Sequence, residues 1–244
     1  MGFSSVKDVQ EIEQAGPWST RDLPQTLYDM LGRTASEMPG ANAISFQLMS
    51  GADSKAETLN WSQLQAQVTQ AANLFSRLGI GETDVVAFVL PNSLETVVAL
   101  LGGAVAGIVS PINPLLSPEH IGALLRETGA TVVVTLKAFP KTDVAQKTAE
   151  AVRLAPAVTT VLEVDLLRYL TPPKSWIVPL IRPKSPAQHH AQVLDFSAEV
   201  SRQNTVLDFP ASTGDRVAAY FHTGGTTGTP KVAQLRYKGL IYNG

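Results

Sequence analysis

The chain contains no cysteine in its 244 residues, so disulfides and thiolate-held metals are excluded. Charge is also sparse: charged residues make up 16% of the total and the formal net charge is −2. No electrostatic footprint therefore points to nucleic acid or to an anionic lipid surface. A membrane span needs about 20 continuous apolar residues. The longest weakly polar stretch, Val85 to Leu116, is broken by Pro91, Asn92, Glu95, Pro111, Asn113 and Pro114. The first residues, MGFSSVKDVQEIEQ, have charges and no apolar centre, unlike a secretory leader, and Val6 stands where an acylation signal needs Ser or Thr. These absences are compatible with the cytoplasm, the expected compartment. What is present is apolar material: 44% of residues, enough for a sizeable globular core.

Hydrophobic periodicity divides that material into alternating elements. Pro24 to Met38 carries Leu27, Leu31 and Ala35 at helical spacing and is stopped by Pro39-Gly40. Ile44, Phe46 and Leu48 alternate as a strand, and Thr58 to Trp61 reads as its hairpin partner. Ser62, with Gln65 three residues on, is read as the cap of a helix that Gly79 ends. Asp84 to Leu90 is apolar on both faces, as a central parallel strand must be. Ser93 caps a further helix whose Gly102, Gly103, Ala104 and Ala106 permit close packing. Strand, helix, strand, helix, strand follow from Ile108 to Val164, with Ser117-Pro118-Glu119 and Gly129 as helix punctuation. This rhythm predicts an α/β fold, a mostly parallel sheet flanked by helices.

The rhythm stops near Tyr169. Thr171 to Pro186 holds five prolines, with Lys174, Arg182 and Lys184 set among Trp176, Ile177, Val178, Leu180 and Ile181. Two readings stay open: a long surface loop stiffened by proline, or an apolar and basic surface that makes weak contact with a membrane or an oily substrate. The pair His189-His190 is too isolated for a metal site. A polar stretch after Asp195 leads to the strand Arg216 to Phe221, and Val232 to Leu235 resumes as a strand. The expected organisation is an N-terminal lead (1–22), an α/β subdomain (23–170), a proline-rich connector (171–194) and the start of a second α/β subdomain (195–244).

Between those last strands lies TGGTTGTPK, Thr223 to Lys231. Gly224, Gly225 and Gly228 have no Cβ, so backbone N–H groups can converge on an anion. Thr223, Thr226, Thr227 and Thr229 add hydroxyl donors. Lys231 supplies a compact charge for phosphate oxygens, with Pro230 fixing the backbone before it. A polyphosphate suits this density of donors. A Walker A loop is excluded, because Pro230 precedes the lysine and Val232 follows it.

TGGTTGTPK resembles the signature loop of the AMP-forming adenylate-forming superfamily, which comprises acyl-CoA synthetases, peptide-synthetase adenylation domains and luciferases. TLNWSQL (Thr58 to Leu64) and GGAVAGIVSPINPLLSPEHI (Gly102 to Ile121) are similar to earlier family segments and stand in the expected order, so the likeness runs from about Leu23 to the end. His222 stands where the family often has Tyr, and is read as packing beside the loop.

The resemblance implies ATP, magnesium and coenzyme A as co-substrates of a full-length enzyme acting on a carboxylic acid through an acyl-adenylate. Thr223, Gly224, Gly225, Thr226, Thr227, Gly228, Thr229 and Lys231 would hold the phosphates that leave as pyrophosphate. The Gly224-Gly225 pair resembles acyl-CoA synthetases more than amino-acid-activating members, whereas Lys231-Val232-Ala233 departs from the Lys-Gly-Val of many members. Family members are longer. The magnesium carboxylate, the ribose aspartate and the C-terminal lid with its catalytic lysine have no counterpart here, so the 244 residues are expected to be an N-terminal portion, inactive alone. The alternatives are an adenylation domain serving a carrier protein and a non-catalytic nucleotide-binding fragment. The sequence assigns neither the acid nor the oligomeric state.

Overall fold

In the computed structural model, residues 5–14, 16, 20, 22–51, 54–183, 188–223 and 231–242 are described. The elements in order are α1 (Val6–Gln14), α2 (Leu27–Glu37), β1 (Asn42–Gln47), β2 (Ala56–Asn60), α3 (Trp61–Arg77), β3 (Val85–Val89), α4 (Leu94–Ala106), β4 (Ile108–Pro111) and α5 (Pro118–Thr128). They continue with β5 (Val132–Leu136), α6 (Val144–Arg153), β6 (Thr160–Val164), a 3-10 turn (Leu166–Tyr169), α7 (Lys174–Ile181), β7 (Gln192–Asp195), α8 (Phe196–Ser201), β8 (Val217–Thr223), β9 (Lys231–Arg236) and α9 (Tyr237–Tyr242).

Seven strands form one sheet in the order β7-β6-β5-β3-β4-β8-β9, parallel throughout except for β9, which runs antiparallel to β8. β1 and β2 form a separate antiparallel hairpin. Every residue of β3 and β5 is buried, as expected of central strands covered on both faces. The chain moves from β3 to β4 on one side, then returns past β3 to β5 and on to β6. Right-handed crossovers therefore place α4 on one face and α5 with α6 on the other. The sequence-based expectation of a mostly parallel sheet flanked by helices describes this architecture.

Local chemistry explains most boundaries. Ser93 and Ser117 accept hydrogen bonds from Thr96 N and His120 N, and Gly129 closes α5 with φ +69°. Gly102 lets α4 approach α3 so closely that a Cβ there would lie 2.7 Å from the Ala71 Cβ. The α3 cap is two residues earlier than Ser62: Asn60 accepts from Gln63 N, and the Gln63 side chain accepts in return from Asn60 N. Asn60 ends β2, so strand and helix share one residue as stop and start.

The segment after Tyr169 also differs from the loop reading. Residues 174–181 form α7, anchored by buried Val178 and by Arg182, which donates to the Ala138 carbonyl (2.9 Å) and to both Asp165 oxygens (3.0 Å). Pro173 sits at the helix start, where its missing N–H costs nothing, and only Pro179 interrupts the ladder. Beside α7, Tyr169 donates to Glu95 (2.7 Å), and Arg168 bridges Glu95 (3.0 Å) and Glu57 (2.6 Å). This cluster, in which Glu95 and Tyr169 are buried and Arg168 is exposed, ties the hairpin to α4. Burial and the adjacent Glu95 carboxylate push the Tyr169 hydroxyl well above its ordinary pKa. The polar stretch after Asp195 contains α8, and β7 completes one edge of the sheet. The N-terminal lead includes α1.

Candidate functional site

Open α/β sheets bind ligands beyond the carboxyl ends of their strands, where the direction of winding reverses. Here that reversal falls between β3 and β4. A cavity of 510 Å³ lies there, lined by Phe88 and Leu90 from the end of β3, Pro111 and Ile112 from the end of β4, Leu100 from α4, and Phe221 from β8. Its walls are mainly apolar, with Asn92, Thr96 and Asn113 as polar points.

β8 delivers the glycine-threonine segment to the same end of the sheet. His222 pairs with Val232 and Thr223 with Lys231, so the backbone leaves β8 and returns to β9 at one rung of an antiparallel ladder. Lys231 is thus the first residue of β9, and its backbone stands beside that of Thr223. Gly224, Gly225, Thr226, Thr227, Gly228, Thr229 and Pro230 lie outside the described residues, as do the side chains of Thr223 and Lys231. Three glycines with no bound phosphate lead us to expect poor order from Thr223 to Thr229 without nucleotide, an expectation that falls on residues outside those described except for the Thr223 backbone. His222 packs beside the start of the loop: its Nδ1 lies 3.3 Å from the Pro111 carbonyl oxygen, and its Nε2 is buried with no hydrogen-bond partner.

Sequence reasoning missed the residue that holds β8 in place. Arg216 Nη1 donates to the carbonyls of Gly107 (2.7 Å) and Val217 (2.9 Å), and Nη2 to those of Ala104 (2.9 Å) and Val105 (3.0 Å). Ala104 and Val105 lie in the last turn of α4 and Gly107 is its cap, so the cation satisfies orphan carbonyls at the negative end of the helix dipole. The guanidinium also lies over the Tyr237 ring at 4.9 Å, and the Tyr237 hydroxyl donates to the Ala104 carbonyl. Burial pushes that hydroxyl above its ordinary pKa. The loop's first strand and the helix after its second strand are clamped to the same helix end. No spacing rule connects Arg216 with Ala104. The signals that could have found the cavity are the runs Leu90-Pro91-Asn92 and Ile112-Asn113-Pro114, each at the carboxyl end of a strand.

The fold is that of the AMP-binding enzymes. The family model for AMP-binding enzyme matches residues 31–244, and the chain belongs to that family. It is 33% identical to a marinolic acid–CoA ligase of Pseudoalteromonas sp. (strain SANK 73390), over 98% of this chain and 33% of that protein. It is 27% identical to a long-chain-fatty-acid–CoA ligase of Bacillus subtilis (strain 168), over 95% of this chain and 42% of that protein. The chain thus spans about a third to two fifths of the length of these relatives. Among solved structures, the anthranilate CoA ligase AuaEII in complex with anthranoyl-AMP superposes with a TM-score of 0.67 at 20% identity, covering 91% of this chain and 37% of that one. That likeness shows the fold.

Proposed function

We propose that this chain supplies the phosphate-binding part of an ATP-dependent, AMP-forming ligase that joins an apolar carboxylic acid to coenzyme A. The observation that carries the reading is the β8–β9 register, which returns Lys231 to Thr223 beside the cavity at the β3/β4 winding reversal. In the first step a carboxylate oxygen attacks the α-phosphorus of ATP. The bond from that phosphorus to the bridging oxygen of the β-phosphate breaks, and pyrophosphate leaves with the electron pair. In the second, the thiol sulfur of coenzyme A attacks the acyl carbon, loses its proton, and AMP leaves. Thr223, Gly224, Gly225, Thr226, Thr227, Gly228, Thr229 and Lys231 would hold the leaving phosphates and offset the charge that develops on them. The apolar walls near Phe221 suit a hydrocarbon acid, and the relatives named for fatty acid and marinolic acid ligation support that class. Among the described residues no group of three or more carboxylates or imidazoles could hold a metal ion.

The test uses the chain itself. Isothermal titration with inorganic tripolyphosphate is expected to show binding, weakened roughly tenfold in Lys231→Ala because a charge-assisted contact is lost, with an unchanged far-UV spectrum. In a chain of full ligase length the same substitution is expected to slow carboxylate-dependent pyrophosphate exchange by about 10²–10³. Residues 1–244 alone are expected to release no pyrophosphate, because the phosphate loop cannot by itself align an acid with the α-phosphorus. An unimpaired Lys231→Ala in both assays refutes the role given to the loop.

A further inference from the structure

Although the net charge of −2 gives the whole molecule no attraction to anionic surfaces, one stretch departs from that balance. From Thr171 to Leu194 there is no acidic residue. Within it, α7 turns its apolar residues outward. Trp176, Ile177, Leu180 and Ile181 are 69%, 46%, 85% and 59% exposed, whereas Val178 is buried. At 100° per residue these four span one arc of about 140°, the i, i+1, i+4, i+5 pattern of a single helix face. An exposed apolar face containing tryptophan is expensive in water and needs a partner. Its orientation is fixed, because Val178 and the Arg182–Asp165 pair hold the opposite side.

The charges around the face choose the partner. Lys174, at the start of α7, is exposed and has no acidic partner among the described residues. Together with Lys55, Met49 and Thr171 it lines a 260 Å³ cavity at the foot of the helix. The nearby carboxylates are already paired, Glu57 with Lys55 (2.9 Å) and Asp165 with Arg182 (3.0 Å), so Lys174 adds a net positive charge beside the apolar face. Apolar residues that include an indole, beside such a cation, match the boundary between headgroups and acyl chains of an anionic bilayer. A second copy of the chain would bring the same positive charge against this one. We infer that α7 docks this protein on anionic membrane surfaces, with Trp176, Leu180 and Ile181 among the acyl chains and Lys174 at the headgroups.

The test is co-sedimentation of the 244-residue protein with vesicles of phosphatidylcholine alone and with phosphatidylglycerol added, in the absence of nucleotide. Binding is expected with the anionic vesicles, and brominated acyl chains should quench Trp176 fluorescence in a background carrying both Trp18→Phe and Trp61→Phe, which leaves Trp176 as the remaining tryptophan. The pair Trp176→Ser with Leu180→Ser should lower partitioning at least about tenfold. Lys174→Glu should remove the preference for anionic lipid while leaving the melting temperature unchanged. Absence of binding, or binding that neither variant alters, overturns the proposal. So does a dimer in sedimentation equilibrium that the serine variants dissociate. The readout needs no phosphate chemistry, so its failure is separate from failure of the ligase reading.

Discussion

Replacing Arg216 by alanine should destabilise the fold and weaken the phosphate site together, although Arg216 is remote in sequence from the loop's lysine. The wild-type guanidinium makes three hydrogen bonds to α4 and its cap and a fourth to Val217, with only 14% of its side chain exposed. Its Nε is buried without a hydrogen bond, and Glu82 is 3.8 Å away, so that contact adds little. Water would replace part of each lost bond, so about 1 kcal/mol is assigned to each of the three bonds to the helix end. The sum, about 3 kcal/mol, corresponds to a fall in melting temperature of roughly 6–12 °C for a chain of this size. Urea unfolding should show the same loss in midpoint with an unchanged slope. Lysine should recover less than half, since one ammonium cannot reproduce a planar fork directed at several carbonyls. Tripolyphosphate affinity should fall in both variants, because β8 is no longer held against α4. A loss below about 1 kcal/mol for alanine, or a lysine variant equal to wild type, refutes the clamp.

Two further outcomes follow from packing and from charge. Gly102→Ala should destabilise by about 1–2 kcal/mol in urea unfolding, because its Cβ would stand 2.7 Å from that of Ala71 and force α3 and α4 apart; a stabilisation of about 1 kcal/mol, as helix propensity alone would give, would disprove the close contact. Burial raises the Glu163 carboxyl above its ordinary pKa, Lys137 opposing and Asp165 adding to the shift, so the native state binds this proton more tightly than the unfolded chain does. The stability it contributes is complete below the unfolded pKa and is lost as pH rises through the folded value. Glu163→Gln should therefore raise the melting temperature by about 1–2 °C at pH 7 and by nothing at pH 3.5, in paired thermal melts.

How much could be read without coordinates depended on which force dominates each element. β3 was legible because burial on both faces leaves no polar position to confuse the period, and α5 because Ser117, Pro118 and Gly129 mark both its ends. α7 was obscured by proline, whose usual penalty does not apply at a helix start. β7 has the burial of an edge strand, largely exposed, and exists because β6 offers it a ladder, a fact external to its own residues. α8 did carry a signal: Asp195 caps Ala198, and Phe196 and Val200 are buried four residues apart. The glycine-threonine loop is proposed as an anion site from residue type, because anion recognition by backbone is written there. The Arg216 clamp was not legible, because carbonyls at a helix end have no residue identity.

The ladder at the base of the loop has a thermodynamic consequence. Thr223 and Lys231 are paired across β8 and β9, which holds the ends of the seven-residue segment between them roughly 5 Å apart. Bringing the ends of such a segment together costs about 1.7 kcal/mol in chain entropy, beyond a length-independent part. Here that cost is met by folding, through the sheet and the helix end that anchors it. For the polyphosphate proposed to bind there, none of the binding free energy would be spent on joining the two ends.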